Sequence, residues 1–253
     1  MDLGLAERVY VLTGASRGLG FATAQCLVAD GARVVVSSRN PDQVAQAAAR
    51  LGGPDRALGI DADLSDAGAP QRLIDAAREH FGRLDGALIS VGGPPPGTAA
   101  QKSDEEWRAA FETVFLGTVR AARTIAAVLP VGGAIGLVLS TSVRSPVAGL
   151  GVSNGLRPGL AGVAKDMSNE YGPRGVRFVS LLPGRIMTDR NRELLAAAAD
   201  PQRAQAEAEA AIPLRRIGEP AEFGRVAAFV LSPAASYLTG VAIPVDGGAL
   251  PGI

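Results

Sequence analysis

The 253-residue sequence predicts a single α/β domain, doubly wound, with a parallel sheet covered by helices on both faces. Three observations predict it. Short apolar runs alternate with helix-length segments along the whole chain. Most runs are apolar without a break, as strands buried on both faces must be. The first run leads into Thr13-Gly14-Ala15-Ser16-Arg17-Gly18-Leu19-Gly20, a glycine-rich turn that opens a helix.

In chain order, strands are expected at 8–13 (RVYVLT), 32–37 (ARVVVS), 57–60 (ALGI), 86–90 (GALIS), 134–140 (AIGLVLS), 176–182 (VRFVSLL) and 241–245 (VAIPV). Helices are expected at about 18–30, 41–51, 66–82, 103–129, 152–172 and 219–231. Ser103-Asp104-Glu105-Glu106 is a capping box that marks one start, and Glu219-Pro220 places a proline in the first turn of another. Strand–helix alternation of this kind implies right-handed crossovers. The segment 190–215 is rich in Ala and Glu and interrupted by Pro201 and Pro213, which predicts a weakly anchored helical flap over the substrate cleft, inserted between the sixth and seventh strands of a domain spanning 1–253.

Composition narrows the function classes. Basic and acidic side chains number 25 each, so no global field favours nucleic acid or an anionic membrane. The single cysteine, Cys26, fits a reducing compartment, and the N-terminal segment lacks the basic and apolar regions of a signal peptide; a cytoplasmic protein is expected. The apolar stretch at 124–140 is broken by Pro130, Gly132 and Gly133 and reads as helix end, turn and strand, not a membrane span. No cluster of His, Cys, Asp and Glu has metal-ligand spacing, so no metal is expected. His80 reads as a solvated residue or a helix C-terminal dipole partner, Cys26 as a core residue, and Pro94–Pro96 as the stiffening of a loop.

The glycine turn carries the main functional expectation. Gly14 permits the tight turn, Gly18 lets the backbone approach a pyrophosphate, and Gly20 lets the helix pack on the strand, with the helix N-terminus supplying donors. Ser16, Arg17 and Leu19 lie in the same loop. The second strand ends Ser37-Ser38-Arg39, without the acidic residue that bonds the ribose 2′-hydroxyl of NAD. With Arg39 and Arg17 as cations for a 2′-phosphate, NADP(H) is the expected cofactor and NAD(H) the alternative.

The chain resembles the short-chain dehydrogenase/reductase superfamily over nearly its whole length, through TGASRGLG (13–20), Asp63-Leu64, FGRLDG (81–86), PGRIMTDR (183–190), IPLRRIGEP (212–220) and YLTGVAIPVDGG (237–248). Within it the chain is most similar to bacterial 3-oxoacyl-acyl-carrier-protein reductases. The resemblance implies a Rossmann-type seven-stranded parallel sheet in the order 3-2-1-4-5-6-7. It implies adenine contacts from Asp63 and Leu64, a cofactor contact at Gly92, and nicotinamide contacts from Pro183, Gly184, Ile186 and Thr188. It also implies a homotetramer, or a homodimer, built on the helices at 103–129 and 152–172.

The departures fall where the chemistry is expected. Ile89-Ser90-Val91-Gly92 replaces the family's Asn-Asn-Ala-Gly, and Val114 stands at the structural Asn. Ser142 keeps the place of the family's serine, whereas Ser153 and Arg157 occupy those of the Tyr and Lys. One helical turn separates these last two, so they share a face. Serine is a poor acid, and an arginine that stays protonated cannot shuttle protons, although its fork can donate to cofactor ribose or to a developing oxyanion. Two readings stay open: a reductase of a small carbonyl substrate using Ser142, Ser153 and Arg157 with water as proton source, or a non-catalytic NADP(H)-binding sensor or assembly partner. Arg144 and Arg185 follow the fifth and sixth strands. They could converge with Arg157 on an anionic or carrier-bound substrate, or be separate surface charges.

Overall fold

The computed structural model describes residues 2–252, and its centre is a seven-stranded sheet in the order β3-β2-β1-β4-β5-β6-β7. The strands are β1 (Val9–Leu12), β2 (Arg33–Ser38), β3 (Ala57–Asp61), β4 (Gly86–Ile89), β5 (Ala134–Val138), β6 (Arg177–Pro183) and β7 (Val241–Val245). Every pairing is parallel, from β3 at one edge to β7 at the other. The chain reverses direction of growth between β1 and β4, which opens a crevice at their carboxyl ends where this architecture places ligands.

Nine α-helices are present among the described residues: α1 (Gly18–Ala29), α2 (Pro41–Arg50), α3 (Ala69–Phe81), α4 (Asp104–Ala110), α5 (Gly117–Val128), α6 (Gly151–Tyr171), α7 (Asp189–Ala196), α8 (Pro201–Ala210) and α9 (Pro220–Leu231). Their starts follow local chemistry. Asn40 caps α2 by accepting from Gln43 N at 2.9 Å, and the Ser103/Glu106 capping box begins α4. Glu219 and Glu222 form a second box on α9, with Pro220 in the first turn. Arg216 also grips Glu222 through both carboxylate oxygens (2.7 and 2.6 Å), which pulls its carboxyl down to about 2.

Two apolar layers flank the sheet. On one face α3, α5 and α6 bury Leu73, Ile74, Ile125 and Leu160; on the other α1, α2 and α9 bury Leu27, Val44 and Phe223. The amino ends of the strands are tied by polar groups. Asp85 is buried and accepts from Val9 N (2.9 Å) and from Arg83 Nε and Nη2 (2.8 and 2.7 Å). Arg177 is buried as well and donates to the carbonyls of Val230 and Leu238 through Nη1 and of Ser232 through Nη2.

Two expectations needed adjustment, those for the helix at 103–129 and for Cys26, and the helix expected at about 152–172 is present. The helix expected over 103–129 is interrupted by a π-helical segment at Phe111–Leu116, so α4 and α5 are distinct. The helix at 151–171 runs on through Gly155, Pro158 and Gly159, because its apolar face, not its local propensity, holds it. Cys26 is half-buried on α1, not enclosed in the core. His80 lies exposed in the last turn of α3, with Nε2 2.8 Å from Pro54 O in the loop between α2 and β3. No helix among the described residues is long and apolar enough to cross a membrane.

Candidate active-site crevice

The crevice begins at the turn between β1 and α1. Gly14 has φ +59, and a Cβ there would lie 2.6 Å from Ser90 O, so only glycine lets this turn pass the end of β4. At Gly20 a Cβ would lie 2.8 Å from Gly14 O and 2.9 Å from Ala15 Cα, so glycine is also what allows α1 to start directly beneath its own loop. Thr13 locks the junction: its hydroxyl donates to Ser90 O (2.8 Å) and accepts from Ser90 N (2.9 Å). No side chain caps the start of α1, so its first backbone N–H groups point toward the loop's concave side. Ser16 and Leu19 are half-buried and Arg17 exposed beside them. This cradle of bare backbone and helix N-terminus fits a pyrophosphate.

At the end of β2, Ser38 Oγ donates to Asn40 O at 3.1 Å and Arg39 is exposed. Neither Arg17 nor Arg39 forms an ion pair among the described residues. After β3, Asp63 Oδ1 accepts from Ser65 N at 2.9 Å, and Leu64 is buried, its carbonyl held by Arg120 at 3.2 Å. Gly92 is exposed beyond β4. Beyond β6, Ile186 is buried, whereas Pro183, Gly184 and Thr188 are half-buried along the crevice side of that loop.

Ser142 and Ser153 come together. A short turn at Thr141–Val143, held by Ser142 N donating to Ser140 Oγ (3.1 Å), delivers Ser142 from the end of β5. Ser153 comes from the first turn of α6. The two Oγ atoms are 3.2 Å apart, and both residues are buried, at 3% and 6% exposure. One hydroxyl proton lies between them, which leaves the other free to donate to an oxygen placed against the pair.

Arg157, one turn further along α6, is 5% exposed. Its Nη1 donates to Val138 O at 2.9 Å and its Nη2 to Val91 O at 3.5 Å, while Nε has no acceptor. No carboxylate pairs with it, and burial alone lowers its pKa to about 10. This corrects the expectation of a guanidinium fork free for ribose or oxyanion. The fork is engaged by the ends of β4 and β5, and the residue acts on the crevice as a fixed positive charge. Val114, at the family's Asn position, is 3% exposed on the π-helical segment and offers no polar group there.

The three arginines do not share one ligand position. Arg144 donates to Ala242 O at 3.0 Å on β7, Arg157 to the ends of β4 and β5, and Arg185 lines a separate cavity of about 370 Å³ with Leu194, Leu195, Glu207 and Ala208 of the flap. The backbone carbonyls that captured Arg144 and Arg157 carry no mark in the sequence.

Two side chains that sequence reasoning passed over shape the crevice. Asn154 pairs with both backbone polar groups of Val147 (3.0 and 2.9 Å) and so pins the loop that follows Ser142 onto α6. Arg190 reaches from α7 to Gly93 O and Pro94 O. The position of Asn154, inside the tyrosine-to-lysine interval, was the available signal for the first; Arg190 had only its place at the end of PGRIMTDR.

Known proteins match this arrangement along the full chain. A family profile described as Enoyl-(Acyl carrier protein) reductase matches residues 14–249. An uncharacterized oxidoreductase of Mycobacterium tuberculosis is 33% identical over 246 residues, covering 96% of this chain and 97% of that protein. The L-sorbose reductase of Gluconobacter frateurii, solved with NADPH and L-sorbose, superposes with a TM-score of 0.91 at 27% identity, each chain covered in full (100%). A short-chain oxidoreductase of Pseudomonas aeruginosa described as containing an atypical catalytic center gives the same TM-score of 0.91, identity of 27% and coverage of 100% for both chains. Glycine cradle, strand order and these matches agree, and with a profile spanning residues 14–249 the chain belongs to the short-chain dehydrogenase/reductase superfamily of oxidoreductases.

Proposed function

We propose that this protein is an NADP(H)-dependent reductase of a small carbonyl compound that works without the family's tyrosine. The observation that carries the reading is the buried Ser142–Ser153 pair, 3.2 Å apart in the ligand crevice. Gly14, Ser16, Gly18, Leu19 and Gly20 would hold the pyrophosphate, Arg17, Ser38 and Arg39 the 2′-phosphate, Asp63 and Leu64 the adenine, and Gly92, Pro183, Gly184, Ile186 and Thr188 the nicotinamide end. When bound, NADP(H) supplies the hydride. The hydroxyl pair donates one hydrogen bond to the substrate carbonyl oxygen and orients it. Arg157 adds a buried, uncompensated positive charge one helical turn below Ser153, which favours negative charge on that oxygen. Neither hydroxyl is acidic enough to yield its proton outright, so Ser153 relays a solvent proton. The likeness to the NADPH-bound sorbose reductase supports the cofactor, and that to the Pseudomonas oxidoreductase, described as containing an atypical catalytic center, supports a catalytic center that departs from the family's.

A non-catalytic NADP(H)-binding protein is the second reading, favoured by the apolar Val114 in place of the relay amide and by the lack of any group in the pair that titrates near neutrality. We further propose assembly as a homotetramer or homodimer through α4, α5 and α6, where Phe111 stays 45% exposed while stacked on Phe115. The deciding experiment titrates NADPH and NADH by fluorescence, then follows NADPH absorbance with ketones, 3-oxoacyl thioesters and quinones. The reductase reading expects tighter NADPH than NADH binding, and turnover that Ser142→Ala lowers by about 100-fold. Tight NADPH binding without turnover on any compound selects the second reading, and failure to bind either nucleotide overturns both.

A further inference from the structure

Arg190 is the second residue of α7, and its guanidinium reaches across the molecule. Nη1 donates to Gly93 O at 3.2 Å and Nη2 to Pro94 O at 3.3 Å. Its neighbour Asp189 pairs with Arg192, so Arg190 has no carboxylate partner among the described residues. The acceptors are preset: Pro94 is buried, and Pro94–Pro96 restrict the backbone that carries them. Gly93 is matched to the guanidinium, since a Cβ there would lie 2.8 Å from Arg190 Nη1.

Sheet order says what this contact crosses. The acceptors follow β4, α7 follows β6, and β5 lies between those strands. The link therefore passes over the carboxyl end of β5, from which the turn carrying Ser142 departs. On its other side Thr188 reaches the glycine cradle, as a Cβ on Gly18 would lie 3.7 Å from Thr188 Cγ2. Residues 188–190 thus lie across the carboxyl ends of β1, β4 and β5. Beyond them α7 buries no residue and α8 only Ala208, and the flap's apolar anchor is the small cluster of Ala208, Ile212 and Ile217. At its leading end the flap meets the proline loop through this two-pronged polar contact, which can open without exposing the two main apolar layers.

We propose that Arg190 is a positioning residue that latches the flap to the proline loop and sets how fast a ligand leaves the crevice. The inference rests on the crevice being the ligand site, but the latch itself does not depend on which ligand binds. The test compares the full chain with Arg190→Ala, Arg190→Lys and Gly93→Ala. Thermolysin cleavage within 190–215 of the ligand-free protein reads the latch, and stopped-flow fluorescence of NADPH release reads its effect. Arg190→Ala is expected to raise both rates about tenfold, as loss of charge-assisted hydrogen bonds implies, with Tm within about 2 °C of the parent. Gly93→Ala, which keeps the arginine but displaces it, raises both less, and Arg190→Lys, reaching one carbonyl, falls between parent and Arg190→Ala. Unchanged cleavage in both Arg190→Ala and Gly93→Ala overturns the latch. Faster cleavage with unchanged NADPH release overturns its control of exchange. If the parent binds no NADPH, the cofactor reading fails while the cleavage arm still decides the latch.

Discussion

Arg157 and Arg177 are both buried guanidinium groups without a carboxylate, at opposite ends of the same sheet, and they are held in different ways. Arg177 opens β6 and meets three carbonyls at 2.9, 3.2 and 2.9 Å, two of them at the carboxyl end of α9, where unpaired carbonyls and the helix dipole welcome a cation. Arg157 meets one carbonyl well and one at 3.5 Å, and its Nε meets none. Burial lowers the pKa of each. The difference separates a cation whose acceptors complete a fold from one whose acceptors are incomplete beside a crevice. The first ties elements together; the second keeps a positive potential beside the crevice.

The largest expected effect breaks the complete set. Arg177→Met leaves the carbonyls of Val230, Ser232 and Leu238 without their donor and should cost about 3 kcal/mol in denaturant unfolding, since hydrogen bonds to charged groups contribute about 1.5–3 kcal/mol each and the relieved desolvation offsets part of the sum. A smaller effect sharpens the incomplete one through pH. Because Arg157 has its pKa lowered to about 10 in the folded protein, the unfolded chain binds more protons above that pH. Its contribution to stability therefore rises as pH increases through 10 toward the ordinary arginine range. Relative to Arg157→Met, the parent should gain about 1 kcal/mol between pH 9 and pH 11; an unchanged difference would mean that Arg157 is solvated in the native state. The smallest effect is the neutral-pH stability of Arg157→Met itself. Removal of a desolvated charge offsets the loss of one good and one long hydrogen bond, so unfolding should stay within about 1 kcal/mol of the parent. Equal losses in the two variants would make both arginines structural ties of one kind.

The strands were legible because a parallel sheet covered on both faces demands nearly continuous apolar runs, and VYVL, VVV and FVSLL, with one serine in the last, supply them. The glycine cradle was legible because close approach leaves no alternative to glycine at Gly14 and Gly20. The π-helical segment at Phe111–Leu116 was not, since FETVFL carries neither proline nor glycine and its wider turn arises from a hydrogen-bond shift along the backbone. The meeting of Ser142 and Ser153 followed from register in two elements. The engagement of Arg157 and Arg144 did not, because their partners are carbonyls and every residue has one. Arg190 escaped for the same reason: its acceptors lie in a loop that only the sheet order brings near.

The reciprocal bond between Thr13 and Ser90 has a consequence for how the protein is made. The glycine turn takes its shape from the end of β4, yet it is synthesised long before that strand. A nascent chain released only through β3 holds TGASRGLG without the wall against which Gly14 must pass. From β4 onward each new strand adds to the growing edge in the order of translation, so the nucleotide cradle closes at the moment when the second half of the sheet begins. A ligand of the cradle would therefore act on late steps of biogenesis and not the first ones, and lesions around Ser90 would strike assembly of the cradle from a distance in sequence that no local reading of the glycine turn reveals.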